Sequence, residues 1–189
     1  MSSGRDLQKR FDFFISLARW GVKAVPVFMA KMFYSLFSSG EGRVFVFLRY
    51  IFLSRLLGSL GESVYVGERV VIRNQDGVNF GTGVSVHPFS YIDGYGGLEV
   101  GDYVSIAHNV SILTFEYQWE DCSLPIKYNP VRSLPVTIEN DVWIGCGVRI
   151  LGGAYIESRV VVAAGAVVKG RLEGGWIYGG VPAKKLRPL

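Results

Sequence analysis

The stretch IENDVWIGCGVRILGGAYIESRVVVAAGAVV, residues 138–168, decides how this chain folds. Aliphatic residues recur in it at every sixth place: Ile138, Ile144, Ile150, Ile156, Val162 and Val168. Four places after each of the first five stands another small or β-branched apolar residue, Val142, Val148, Ala154, Val160 and Ala166. A six-residue unit is too short for a helix hairpin but suits one short strand and one turn. With the first and fifth places pointing inward, three units close one triangular coil. Stacked coils then make a solenoid in which each coil rests on its neighbours and the inward aliphatics share one narrow core.

Upstream, Val66 and Ile72, then Phe80, Val86 and Ile92, then Val100, Ile106 and Ile112 keep the same beat. Intervals of eight residues, from 72 to 80 and from 92 to 100, predict two-residue bulges at corners. Gly67, Gly81, Gly101 and Gly145 each follow an inward aliphatic, where tolerance of unusual dihedrals would let the chain bend tightly. A Greek-key domain would instead need period-two strands joined by hairpins. The beat stops after Ile112 and resumes at Val136 and Ile138. Between them, residues 113–135 (LTFEYQWEDCSLPIKYNPVRSLP) hold three prolines and four aromatic residues. This predicts a loop thrown out of a rigid coil, a common place for binding and catalytic groups.

Composition separates the first sixty residues from the rest. Of 24 glycines in 189 residues, 5 lie in 1–60, and that segment carries nine Lys or Arg against three acids. Its apolar residues recur at helical spacing (Phe11, Phe14, Ile15, Leu17, Ala18), with Pro26 and Ser38–Ser39–Gly40 as breakers. Two or three short helices from Leu7 to Leu57 are expected, forming a basic, aromatic unit over 1–60 beside a solenoid over 61–189. Such a unit either buries an apolar face under a solvated basic one or meets an anionic membrane surface. Arg19, Lys23, Lys31, Arg43, Arg49 and Arg55 interrupt every apolar run well short of a bilayer span. Residues 61–189 carry eleven basic against thirteen acidic residues, so no polycation built for nucleic acid is present. Cys122 and Cys146 make neither a disulfide framework nor a zinc cluster. No secretion signal is evident, and a cytoplasmic setting, in part peripheral to the inner membrane, is expected.

The repeats, the string DVWIGCGVRILGG at 141–153 and the ending GGVPAKKLR at 179–187 closely resemble the hexapeptide-repeat acyltransferases, particularly O-acetyltransferases of sugars and surface polysaccharides. The resemblance covers about residues 60–189. It implies an all-β solenoid, a left-handed parallel β-helix of hexapeptide repeats, here with an N-terminal helical extension. It also implies a homotrimer, with acetyl-CoA as cosubstrate in the groove between neighbouring subunits and no metal. Trp143 stands where the family's tryptophan lines the CoA groove, and Cys146 where a small polar residue touches CoA. Ala163 and Ala164 match small residues beside the pantetheine arm, and Lys169, Lys184 and Arg187 match or neighbour positions that meet the adenosine phosphates.

Acetyl transfer to a sugar hydroxyl needs a general base and donors for the oxyanion of the tetrahedral intermediate. Histidine suits the first role, with a reference pKa of about 6.5. The family's catalytic histidine falls on Tyr117 in this sequence, and only His87 and His108 are available. Three readings stay open: His87 acts as base, with Glu116 or Asp93 orienting it and Tyr117 bonding the acceptor; His108 turns to the groove; or transfer has been lost. The last would make the chain a catalytically silent trimeric scaffold or binding subunit.

Overall fold

The computed structural model describes residues 14–189; the expected helical start at Leu7 and Phe11 lies outside them. Residues 14–22 (α1), Val27–Phe37 (α2) and Arg43–Leu56 (α3) are helical. Pro26 takes the N-cap of α2, where the missing N–H costs nothing. Ser38 ends that helix, and Gly42, at φ +93°, opens α3. The ring of Phe52 stacks on Phe33 and Phe37 at 5.2 and 5.9 Å, which joins α2 to α3.

Arg49, 1 % exposed, fastens this pair to the first coil of the solenoid. Its Nε donates to the Val66 carbonyl at 2.9 Å and its Nη1 to the carbonyls of Phe37 and Gly40 at 3.0 and 2.7 Å. Burial pulls its pKa down, so the carbonyl cradle is what keeps the guanidinium solvated. The Tyr34 hydroxyl donates to the Val70 carbonyl at 2.9 Å. Ala30, Tyr34, Leu53 and Leu56 pack into the same core as the first coil, so the helices close one end of the solenoid.

The solenoid is a left-handed parallel β-helix of about six turns. Sheet I comprises Ser59–Leu60, Val78–Phe80, Leu98–Val100, Val136–Ile138, Tyr155–Ile156 and Arg171–Leu172. Sheet II comprises Tyr65–Val66, Ser85–Val86, Ser105–Ile106, Trp143–Ile144, Val161–Val162, Trp176–Gly179 and, at its end, Lys184–Pro188. Sheet III comprises Val71–Arg73, Tyr91–Asp93, Ser111–Leu113, Arg149–Ile150 and Val167–Val168. The chain visits I, II and III in turn, and every inward residue of the 138–168 beat is at most 2 % exposed. The two eight-residue intervals are corners from sheet III to sheet I: one is a short 3-10 turn, Gln75–Gly77, the other Gly94–Tyr95–Gly96–Gly97.

The corner glycines work differently from the expectation. Gly67, Gly81, Gly101 and Gly145 do not adopt positive φ. The left-handed residue comes two places later, at Ser63, Arg69, Gly83, Phe89, Tyr103, Asn109, Asp141, Gly147, Gly153, Arg159 and Gly165. At Gly81 and Gly145 it is the next coil that leaves no room for a side chain. A Cβ on Gly81 would lie 2.7 Å from the Gly101 carbonyl carbon, and one on Gly145 2.7 Å from the Ala164 nitrogen.

Residues 113–135 leave the corner between sheets III and I as an arm. It is not an irregular loop: Phe115–Tyr117 and Val131–Ser133 form an antiparallel hairpin with Glu116 opposite Arg132. Asn129, 5 % exposed, pins the tip by accepting from the Asp121 amide and donating to the Asp121 and Pro125 carbonyls. At the far end, Lys184–Pro188 turns back and pairs antiparallel with Trp176–Gly179.

Candidate active site

The three edges of the prism differ in how their polar groups are used. At the edge between sheets I and II, side chains tie each coil to the next. Asp102 Oδ1 accepts from the Thr82 amide and Asn140 Oδ1 from the Asp102 amide, both at 2.7 Å. Glu139 accepts from the Ser158 amide and hydroxyl at 2.9 Å and from the Tyr155 hydroxyl. Glu157 accepts from the Gly174 amide at 2.8 Å. Those hydrogen bonds, first of all from Tyr155 and from Gly174 respectively, hold both carboxyls below the usual glutamate range.

At the edge between sheets II and III the first two corner places stack as Gly67–Glu68, His87–Pro88, Ala107–His108, Gly145–Cys146 and Ala163–Ala164. The His87 amide donates to Ile106, Ala107 to Ile144, Gly145 to Val162 and Ala163 to Tyr178, at 2.8–2.9 Å. The side chains of His87, His108 and Cys146 accept or donate no hydrogen bond among the described residues. The His87 ring lies 5.5 Å from that of Tyr65, and both histidines are exposed. Gly179 packs against this edge, since a Cβ there would meet the Ala163 Cβ at 3.3 Å, and Lys184 pairs with Gly179. The edge is thus small in profile at Gly145, Ala163 and Ala164, carries His87, His108 and Cys146 without side-chain hydrogen bonds, and is flanked at one end by an exposed lysine.

Trp143 projects from the adjoining face of sheet II, 56 % exposed, two residues before the corner. Strand register aligns its outward position with Ser105 and Val161, and Val161 with Ile177, which faces Arg187. Around the tryptophan is a groove of about 310 Å³ lined by Tyr103, Ser105, Asp141, Arg159, Val161 and Leu189 among others. Of these residues the sequence motifs point only to Trp143; Tyr103, Asp141 and Arg159 are all left-handed corner residues at one edge, a phase that counting hexads in threes would have exposed.

Asp93, Glu116 and Tyr117 lie elsewhere, around the corner between sheets III and I. Asp93, 6 % exposed, accepts from Asn74 Nδ2 at 2.6 Å and from the Tyr95 amide at 3.0 Å. The Tyr95, Phe115 and Tyr117 rings form a chain with centroids 5.8 and 6.1 Å apart. Tyr117 and Glu116 are exposed on the arm. Lys169 also sits exposed at this edge, after Val168. The structure therefore brings His87, His108, Cys146, Ala163, Ala164 and Lys184 to one edge with Trp143 and Arg187 on the next face. It leaves Asp93, Glu116, Tyr117 and Lys169 at another edge, with neither Asp93 nor Glu116 accepting a hydrogen bond from either imidazole.

The bacterial transferase hexapeptide (six repeats) family matches residues 135–170, the run of strands from Val136–Ile138 to Val167–Val168 in which the beat is strictest. Over these residues the chain carries the bacterial transferase hexapeptide repeat. A hexapeptide-repeat acetyltransferase of Vibrio cholerae in complex with acetyl coenzyme A superposes with a TM-score of 0.75 at 27% identity, covering 85% of each chain. A probable acetyltransferase of Mycobacterium tuberculosis is 34% identical over 129 residues, 68% of this chain and 43% of its own length. The galactoside O-acetyltransferase of Escherichia coli K12 is 26% identical over 143 residues, 72% of this chain and 66% of its own. This hexapeptide-repeat chain thus spans under half of the mycobacterial relative and about two thirds of the Escherichia coli one.

Proposed function

We propose that the protein is an acetyl-CoA-dependent O-acyltransferase that acetylates a hydroxyl of a sugar, in a surface polysaccharide or its precursor. The observation that carries this reading is the edge between sheets II and III. Ala163 and Ala164 leave room for a slender pantetheine arm, Trp143 offers a flat apolar wall beside it, and Lys184 stands at the end where phosphates need a cation. The Vibrio cholerae relative of the same fold holds acetyl-CoA, and the galactoside enzyme acts on a sugar, which supports both substrate classes. Arg187 extends the Trp143 row and Cys146 lies on the path of the arm; Lys169, on another edge, would reach CoA only of a neighbouring subunit.

The acceptor side is assembled between subunits of a homotrimer in this reading. Asp93, Glu116 and Tyr117 sit one edge away from the CoA residues of their own chain, so each arm would serve the neighbour. The arm's tip fits such a contact, since Leu124, Ile126 and Tyr128 are 43, 66 and 68 % exposed there. The acceptor hydroxyl attacks the thioester carbonyl, the carbon–oxygen bond forms, and the tetrahedral intermediate expels CoA thiolate, which takes up the proton removed from the acceptor. His87 is placed to take that proton first: its imidazole is exposed, unpaired and on the CoA edge. Asp93 and Tyr117 then bond the acceptor sugar rather than orient His87. The N-terminal helices would hold this site near a lipid surface, where lipid-linked glycan precursors are presented.

A second reading, a silent trimeric scaffold that keeps the CoA edge, is favoured by Tyr117 at the family's histidine position. Calorimetry with acetyl-CoA followed by thiol-release assays over a sugar panel separates the two. His87→Ala is expected to lower kcat by about 10²–10⁴ while leaving CoA affinity unchanged, and Tyr117→Phe to raise the acceptor KM. Undiminished turnover in His87→Ala removes that residue from the mechanism and moves the role to His108. CoA binding without transfer to any acceptor leaves the scaffold.

A further inference from the structure

The N-terminal helices close the solenoid with one side of α2 and expose the other. Ala30 and Tyr34 face the core, whereas Phe28, Met32 and Leu36, one turn apart along a single stripe, are 71, 55 and 65 % exposed. On α1, Leu17 and Trp20 are 55 and 75 % exposed. Side chains of this size on a water-facing helix bury little within the chain and call for an apolar partner. Beside the α2 stripe, between this helix and the first coil, lies a cleft of about 370 Å³ lined by Lys31, Tyr34, Ser35, Ser38, Arg73 and Gln75 among others. Lys31 and Arg73 have no carboxylate partner among the described residues, and Gln75, 9 % exposed, makes no side-chain hydrogen bond there.

We infer that the stripe Phe28–Met32–Leu36 docks on an anionic phospholipid bilayer while the adjoining Lys31–Arg73 cleft receives a lipid phosphate. This deepens the location half of the proposed function and does not depend on acyl transfer. Charge decides between occupants. Residues 14–60 hold six Lys or Arg, of which all but the buried Arg49 reach the surface, against one acid, Glu41. Docking on a second copy would face Lys23 and Lys31 with like charges, whereas an anionic leaflet attracts each of them by about 1 kcal/mol. The helix lies in the interface plane with its apolar stripe in the acyl boundary, the two cations meet phosphate oxygens, and Gln75 supplies an amide donor to the same group. No helix among the described residues is long and apolar enough to cross the membrane, so the contact is peripheral.

Flotation of the full chain with phosphatidylglycerol–phosphatidylcholine vesicles tests this, beside pure phosphatidylcholine vesicles and millimolar inorganic phosphate as competitor. The chain is expected to float with the anionic vesicles and stay behind with the neutral ones. Met32→Glu and Lys31→Glu/Arg73→Glu are each expected to lower the bound fraction at least tenfold, with unchanged circular dichroism and unchanged CoA binding. Equal partition on both vesicle types, or retention by Met32→Glu, overturns the inference. Loss of a larger oligomer in Met32→Glu without any vesicle binding by the parent chain assigns the stripe to a second copy and overturns it too. Binding of inorganic phosphate by a chain that does not float reduces the cleft to a free-phosphate site, which equally refutes docking.

Discussion

At the scale of single residues, glycine has two separate jobs in this fold, and they predict different costs. Gly81 has φ in the ordinary range but no room: an added Cβ meets Asp102 Oδ1 at 2.5 Å and the Gly101 carbonyl carbon at 2.7 Å. Gly147 has room, with nothing within 4 Å, but sits at φ +68°. Gly81→Ala must push two coils apart and is expected to destabilise by about 2–3 kcal/mol; Gly147→Ala bears only the left-handed penalty of about 1 kcal/mol. Urea unfolding of both variants gives the order, and equal losses would show that coil contact is not what selects glycine at the corner. Glu139 makes a pH-dependent case. Its carboxyl is held below the usual range by Tyr155 and Ser158, so its contribution is complete at neutral pH and is lost as acid protonates it below the ordinary glutamate range. The melting-temperature gap between the parent and Glu139→Gln should therefore close on acidification, and a gap that stays constant to acid pH would contradict this.

Among the elements, the arm is the one whose removal should separate folding from function. It leaves and re-enters the coil at a single corner, Phe115 pairing with Ser133, while Val136–Ile138 rests on Leu98–Val100 whether or not the arm is present. Replacing residues 118–130 by a short Gly–Ser turn is expected to leave the circular dichroism spectrum and CoA binding within twofold of the parent while abolishing transfer. Loss of CoA binding would instead place the arm on the donor side. The element scale also shows what the sequence made legible. The inward residues Ile138 to Val168 could be assigned because a strand with one buried face repeats its chemistry without exception. The meaning of the corner glycines could not, because the contact that demands them lies a whole coil away. The arm's hairpin was hidden by Pro125 and Pro130 in its connection and Pro135 just beyond it, none of which enters the paired strands. The separation of His87 from Asp93 was within reach: Val86 and Ile92 are successive hexads, so the residues after them lie at successive corners.

For the whole molecule, the division of site residues between two edges predicts a closed assembly. Light scattering should give three times the 20.9 kDa of the chain, and mixing an inactive His87→Ala chain with an inactive arm-replaced chain should restore part of the activity, because some interfaces then pair an intact edge with an intact arm. A monomer that turns over would refute the shared site.

The tail that turns back at Gly180 has a consequence for growth along the axis. A β-solenoid ends in strands whose backbone N–H and C=O groups face outward, and an uncovered end can recruit another solenoid without limit. Here α1–α3 sit over the first coil, and Lys184–Pro188 runs against Trp176–Gly179 in the direction opposite to every other strand of sheet II. A strand of reversed direction cannot continue the parallel winding. Lys185 reinforces it, clasping Glu173 at 2.6 Å and lying 4.6 Å from the Trp176 ring centroid. The reversed strand leaves sheet II no parallel edge on which another coil could wind, so end-to-end stacking of solenoids through that sheet is disfavoured.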